Sequence, residues 1–401
     1  MELKVSPEFK SEIEAARAWG RAEVRPAGLE ADRAGAPLPP EHPYFRKFVD
    51  SGRGRARAEA SDAPESRGLR QVILGEEGAY WDRGMGVATP GAGFPSGAVM
   101  AGGTKEQVEA FLGPFRNLAE PKWASFALTE PGGGSDTAAF KTRAQRTDNG
   151  WVLNGAKCFI GNAKRAEWIL VQATLDPTKG RAGQRSFFVE KNTPGLTAMR
   201  VEKKMGLRAY ESVSFSLEDC EIPAEHILGG ETRQARAEDA PAPSATTGAN
   251  RPASAYGATM GALNSARIGV AASALGIARA ALDESRRFAQ ASDALAHPRV
   301  RDALERGLRR LRSARLATLK AAWLADQRRS NIIESSMAKI AAAEVAQEAG
   351  MLGMEIVGLE SGAGDELIEK LFRDAKALNI VEGTGQIQRV IIARQLVGLP
   401  R

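Results

Sequence analysis

The stretch Asn379–Arg389, NIVEGTGQIQR, places one carboxylate, Glu382, between an apolar pair (Ile380, Val381) and Gly383. At the surface it would be an ordinary polar residue at a helix end. Facing inward it would be desolvated, its pKa would rise, and it would become a better base near neutral pH. Phe126–Asp136, FALTEPGGGSD, runs from an apolar segment into Pro131, three glycines and Ser135-Asp136. Glycines there either turn the chain tightly or bring backbone N–H groups close to an anion, with Thr129 and Ser135 adding hydroxyls. The stretch is neither a P-loop nor a dinucleotide fingerprint, because no Lys-Ser/Thr follows and no βαβ setting surrounds it. Leu153–Ala163, LNGAKCFIGNA, reads as a hairpin turning at Asn154-Gly155. It is a plain hairpin, or one whose second strand presents Phe159 and backbone groups to a flat aromatic ligand. The two cysteines (Cys158, Cys220) and three histidines (His42, His226, His297) lack metal-ligand spacing. Cys158, inside an apolar run, reads as a small buried hydrophobe.

These groups need elements to hold them. Residues 1–117 are helical by pattern, with a Ser cap before PEFKSEIEAARAWG, a second helix in GLRQVILGEEGAYWD and a Thr cap opening KEQVEAFL. Between the last two, a Gly/Pro-rich stretch contains a buried turn of helix around Ala98–Ala101. From Lys122 the period changes to short apolar runs, and SVSFSLEDCEIP alternates Val213, Phe215 and Leu217 against serines. Residues 118–229 therefore form a β domain. Residues 230–257, rich in Ala, Pro, Ser and Thr, read as a flexible insertion that cannot bury a core. Residues 258–401 return to small-residue-rich helical patterns suited to close packing in a bundle. The fold expected is α+β, mainly α.

The composition, 43% hydrophobic and 26% charged over 401 residues, is that of a soluble globular protein with room for two or three domains. No apolar run approaches the roughly 18 residues of a membrane span. The amphipathic N-terminus lacks a signal core, and the few cysteines fit a reduced setting, so a cytoplasmic location is expected. The net charge is +6. Much of the basic excess lies in HPRVRDALERGLRRLRSARLATLKAAWLADQRR, whose Leu304, Leu308, Leu311 and Leu319 fall near helical spacing. Its arginines either form a solvated helix face or contact phosphates of a cofactor, a nucleic acid or an acidic partner.

FALTEPGGGSD, LNGAKCFIGNA, ARIGVAASALGIARAAL and RDAKALNIVEGTGQIQRVIIAR, in this order and at these separations, resemble the motifs of the acyl-CoA dehydrogenase family. The resemblance covers nearly the whole chain and is most specific at residues 126–136 and 373–394. It implies an N-terminal helical domain, a middle β-barrel-like domain and a C-terminal four-helix bundle, with FAD between the last two. By this resemblance Phe126, Leu128, Thr129 and Ser135 contact the flavin and its pyrophosphate. Phe159 and Gly161 line the flavin, and Thr384 and Gln386 touch FAD from the last joint. Ser135, Asn264, Arg267 and Gly383 match positions near the acyl-CoA, and Glu382 matches the catalytic base. The implied reaction is α,β-dehydrogenation of an acyl-CoA to a trans-2-enoyl-CoA, with hydride passing to flavin N5 and electrons onward to an electron-transfer flavoprotein. A homo-oligomer (dimer or tetramer) or a hetero-oligomer with a related chain is implied; a nucleic-acid partner is not expected, and a DNA-binding flavoprotein of this fold is the remote alternative. A flavin oxidase of the same fold is a nearer one.

Several positions depart from the family pattern. Gly161 stands where a Thr or Ser is common, and Val381 where a tyrosine is frequent. Ser292 lies near an expected arginine, and Gly350 and Met354 alter a Gln-x-x-x-Gly-Gly element that holds the adenine half of FAD across a subunit interface in homotetrameric relatives. Either arginines of residues 299–315 replace that grip, or a second, non-identical chain completes it.

Overall fold

The structure, a computed structural model, describes residues 5–53, 66–230, 255–360 and 366–398, apart from the side chains of 255–265 and 359–360. Most of the insertion expected at 230–257 lies outside them. The chain opens with helices α1 (Pro7–Trp19), α2 (Arg25–Ala34), α3 (Pro43–Asp50), α4 (Arg67–Ala88), α5 (Pro95–Gly102) and α6 (Lys105–Leu112). Their starts are written in the sequence. The Ser6 hydroxyl accepts the Phe9 N–H at 3.1 Å, and Thr104 and Gln107 form a reciprocal capping box. The helix expected to stop at Asp82 instead breaks there and resumes to Ala88. Asp82 leaves helical geometry (φ −167°, ψ 117°), and its carboxylate accepts the Met85 N–H at 2.8 Å, capping the second half. The residue after this kink is Arg83.

Strands β1 (Trp123–Ala127), β2 (Arg143–Thr147), β3 (Gly150–Gly161), β4 (Ala166–Thr174), β5 (Gln184–Glu190), β6 (Leu196–Val201) and β7 (Ser212–Pro223) form one curled sheet. The strand order is β1-β4-β2-β3-β7-β6, with β5 on β4. One correction to the sequence reading falls here: Asn154-Gly155 is not a hairpin turn. The chain reverses at Asp148-Asn149, between the paired Thr147 and Gly150, and β3 runs unbroken past 155 with a bulge against β7. The Asn154 amide joins Asp219 by two hydrogen bonds, at 3.0 and 2.9 Å. Gly155 is required for another reason: a Cβ there would lie 2.7 Å from Thr142 Cα.

The C-terminal helices are α7 (Ala255–Ala291), α8 (Pro298–Asp326), α9 (Ile332–Glu360), α10 (Glu366–Leu378) and α11 (Gly385–Val397). Their shared core is alanine-rich, with Ala271, Ala274, Ala278, Ala281, Ala342 and Ala346 fully buried. Small side chains let the axes approach closely: a Cβ on Gly276 of α7 would meet the Glu76 carbonyl of α4 at 2.3 Å. The architecture is mainly α with a central sheet, as the sequence led us to expect.

Candidate active site

Helix α10 ends at Leu378, and the Ile380 and Val381 amides fold back onto the Ala377 carbonyl at 2.9 and 3.0 Å. Glu382 then adopts a left-handed backbone (φ 57°), followed by Gly383 (φ 91°). A non-glycine residue there is strained by roughly 1–2 kcal/mol, so its surroundings must hold it. They do so from three sides. Lys339 of α9 donates its Nζ to the Gly383 carbonyl at 2.8 Å. Gln388 of α11 donates its Nε2 to the Gly383 carbonyl at 3.2 Å and to the Glu382 carbonyl at 3.4 Å. The Thr384 hydroxyl accepts the Ile387 N–H at 3.3 Å and caps α11. A side chain at 383 would collide with Gln388 Nε2 at 2.5 Å.

The joint turns the Glu382 carboxylate inward. The residue keeps some exposed surface, but Oε2 is buried and has no hydrogen-bond partner among the described residues. Burial pushes the carboxyl up to about 7, against the pull of Arg83, Arg267 and Lys339. Of the two readings of NIVEGTGQIQR, the inward one holds. Arg267 of α7 is half-buried, and burial lowers its pKa while Glu382 opposes the change. Asn264 lies one turn before it on the same helix, and its side chain is outside the described residues. Gln386 is exposed on the first turn of α11.

The glycine-rich turn follows β1. Beyond β1 the chain stays attached to β3: Lys157 Nζ donates to the Leu128 carbonyl at 3.0 Å, and the Thr129 carbonyl accepts the Cys158 N–H at 2.9 Å. Glu130 fastens the turn. It receives Lys157 Nζ at 2.9 Å, the Lys141 N–H at 2.6 Å and the Thr142 N–H at 3.0 Å. Burial raises the Glu130 pKa, but Lys157 and these N–H groups outweigh it and hold the carboxyl below its ordinary range. Lys157 is fully buried, and burial brings it down to about 8 against the attraction of Glu130. Ser135 sits exposed at the tip, and Phe126 is half-buried with its ring 5.0 Å from Phe94.

On β3, Phe159 breaks the strand's alternation. Its left-handed backbone (φ 60°) falls at a register shift against β7, and its ring is 68% exposed. Gly161 follows, its carbonyl accepting the Ser125 hydroxyl at 2.8 Å. A Cβ on Gly161 would lie 3.8 Å from Tyr210 Cε2. Tyr210 links the two halves of the site. Burial raises its pKa, and the charges that act on it include Arg83 and Glu382.

Sequence reasoning missed Arg83, Tyr210 and Lys339. Lys339 carried a legible signal, a single cation in the apolar run SMAKIAAAEVA. Arg83 had none, because its direction depends on the break at Asp82.

One departure from the family pattern, at Gly350, also finds a physical account. Gly350 of α9 packs on α10, where a Cβ would lie 2.9 Å from Phe372 Cα, so this helix crossing admits no side chain there. Among the described residues, three of the seven arginines of α8 pair with carboxylates. Arg315 grips Glu76 with two bonds at 2.8 and 2.6 Å, Arg310 pairs with Glu348 at 2.5 Å, and Arg309 with Glu305 at 3.3 Å.

The open ring of Phe159, the hydroxyls of Thr129 and Ser135, and the side-chain-free edge at Gly161 together fit a flat aromatic ring system bearing an anionic tail. The comparisons with known proteins agree. Residues 125–220 match the acyl-CoA dehydrogenase middle domain, and residues 256–397 match the acyl-CoA dehydrogenase C-terminal domain. The mitochondrial short-chain specific acyl-CoA dehydrogenase of Mus musculus is 35% identical over 306 residues, 75% of this chain and 69% of that protein. Acryloyl-CoA reductase (NADH) of Anaerotignum propionicum is 34% identical, covering 75% of this chain and 72% of that one. The solved structure of butyryl-CoA dehydrogenase from Megasphaera elsdenii has a TM-score of 0.84 at 27% identity, over 99% of this chain and 100% of that one. The chain belongs to the acyl-CoA dehydrogenase family. It is a flavoprotein oxidoreductase that uses FAD.

Proposed function

We propose that this protein removes hydrogen from the α and β carbons of an acyl-CoA thioester to give a trans-2-enoyl-CoA, with Glu382 as the base. The observation that carries the reading is the Glu382 carboxylate: inward, with a buried, unpartnered Oε2, and brought near neutrality by its surroundings. The α-proton of a thioester is weakly acidic, so the base must be held against the carbon. The strained turn gripped by Lys339 and Gln388 does that. As negative charge grows on the thioester oxygen, the Glu382 backbone N–H is the chain's own donor to it. FAD, when bound, accepts the β-hydride.

In this reading Phe126, Leu128, Thr129, Ser135, Phe159, Gly161, Thr384 and Gln386 hold the cofactor. Ser135, Asn264, Arg267 and Gly383 hold the acyl-CoA. The division into residues 1–117, 118–229 and 258–401 then has a purpose, since cofactor and substrate lie between the last two and the first brings Arg83 to act on Glu382. An electron-transfer flavoprotein is the proposed electron acceptor. Gly350 cannot carry the family's glutamine, so the adenine half of FAD is gripped by other groups, in a homo-oligomer or with a related chain.

Anaerobic mixing with a panel of acyl-CoAs, followed by flavin absorbance, tests the proposal. At least one thioester should bleach the flavin, and Glu382→Gln should keep its flavin while slowing bleaching by about 10³-fold. If no CoA thioester bleaches the wild type, the dehydrogenase reading fails.

A further inference from the structure

We propose that Lys339 is a positioning residue for the base: its buried ammonium fixes the Glu382–Gly383 turn through the Gly383 carbonyl, and its charge sets the pH at which Glu382 gives up its proton. This rests on the reading of Glu382 given above. Lys339 has no exposed surface, and lysines are almost never fully buried unless paired. Yet among the described residues no carboxylate lies within ion-pair distance of it, and its hydrogen bond goes to a neutral carbonyl. That carbonyl already receives Gln388 Nε2 at 3.2 Å, so a neutral donor is in place and hydrogen bonding alone does not call for a cation. What the cation adds is charge, and the carboxylate it acts on is that of Glu382, one residue before the carbonyl it holds.

The charged and titratable groups facing Glu382 come from every element packed on it: Arg83 from α4, Arg267 from α7, Lys339 from α9 and Tyr210 from the segment before β7. Arg389 of α11, nearby in sequence, is engaged with Glu344 at 2.5 Å. The two arginines stay charged throughout the working pH range. Lys339, brought down to about 8 by burial, is the cation of the three that titrates close to Glu382. The two groups therefore titrate as a pair, the carboxylate of one and the ammonium of the other each favouring the charged form of its neighbour.

The test follows the Glu382 carboxyl by infrared difference titration, assigned by its loss in Glu382→Gln, together with the pH profile of flavin bleaching. In Lys339→Met the carboxyl midpoint and the acid limb should both move up by about one pH unit, lowering the rate at pH 7 about fivefold. Lys339→Arg keeps the charge and should restore the wild-type midpoint. Lys339→Gln keeps a donor without the charge, should show the same upward shift, and carries the test if Lys339→Met does not fold. Gln388→Met removes the neutral grip and should slow bleaching with the midpoint unmoved. A wild-type midpoint in both charge-free variants overturns the proposal. If Glu382 is not the base, Glu382→Gln still bleaches while the carboxyl titration remains readable, so the two failures are separable.

Discussion

Replacing Glu382 by glutamine should make the protein more stable at pH 8 and leave it unchanged at pH 4. Burial raises the carboxyl from 4.5 to about 7. The folded chain therefore holds this proton more tightly than the unfolded chain. Below about pH 4.5 both states are protonated and the group contributes nothing. Between 4.5 and 7 the unfolded state releases its proton first, so stability falls as pH rises, and above 7 the loss is complete. At 1.36 kcal/mol for each pKa unit, the difference amounts to about 3 kcal/mol. Glutamine has nearly the same shape and no proton to lose. Urea unfolding of both proteins, flavin-free and in matched buffers from pH 4 to 8, should show the variant's advantage growing from near zero to about 3 kcal/mol. A constant difference would refute the reasoning. So would a wild type that gains on the variant as pH rises, because that is the signature of a carboxylate stabilised by an ion pair.

Three more outcomes are expected. Lys157→Met strands the Glu130 carboxylate in the sheet and should destabilise the fold by about 3–5 kcal/mol, read by denaturant unfolding, with loss of bound flavin on gel filtration. Gly350→Ala drives a methyl against the backbone at Phe372 and should lose about 1–3 kcal/mol, visible as a lower melting temperature. Phe159→Ala removes a ring that is already exposed, so stability should hold within about 0.5 kcal/mol, while flavin affinity measured by fluorescence quenching falls.

Local signals in the sequence carry most of the architecture. Ser6 and Thr104 cap the helices their sequence context assigns to them, and the alternation of Val213, Phe215 and Leu217 marks β7, where all three are buried. Asn154-Gly155 misled because the dipeptide's preference for a turn is overridden by tertiary fit. The glycine is needed where Thr142 crosses close by, and the asparagine finds Asp219 instead of a turn. Glu382 was legible as a carboxylate at a helix joint. Its orientation was not, since that depends on Lys339 and Gln388 reaching in from two other helices. Arg83 could not have been found, because a helical continuation through Asp82 would have pointed it elsewhere.

The ion pairs of α10 also join segments far apart in the sequence. Lys370 reaches Asp82 of α4 at 2.6 Å, and Arg373 reaches Asp32 of α2 at 2.8 Å across 341 positions of sequence. Both aspartates are synthesised long before these two cations, and Asp32 also lies 3.6 Å from Arg208. The turn that carries Glu382 emerges directly after those cations. These contacts are among the longest in sequence that the described residues make, the slowest kind to form. The base is therefore held by the last contacts to close.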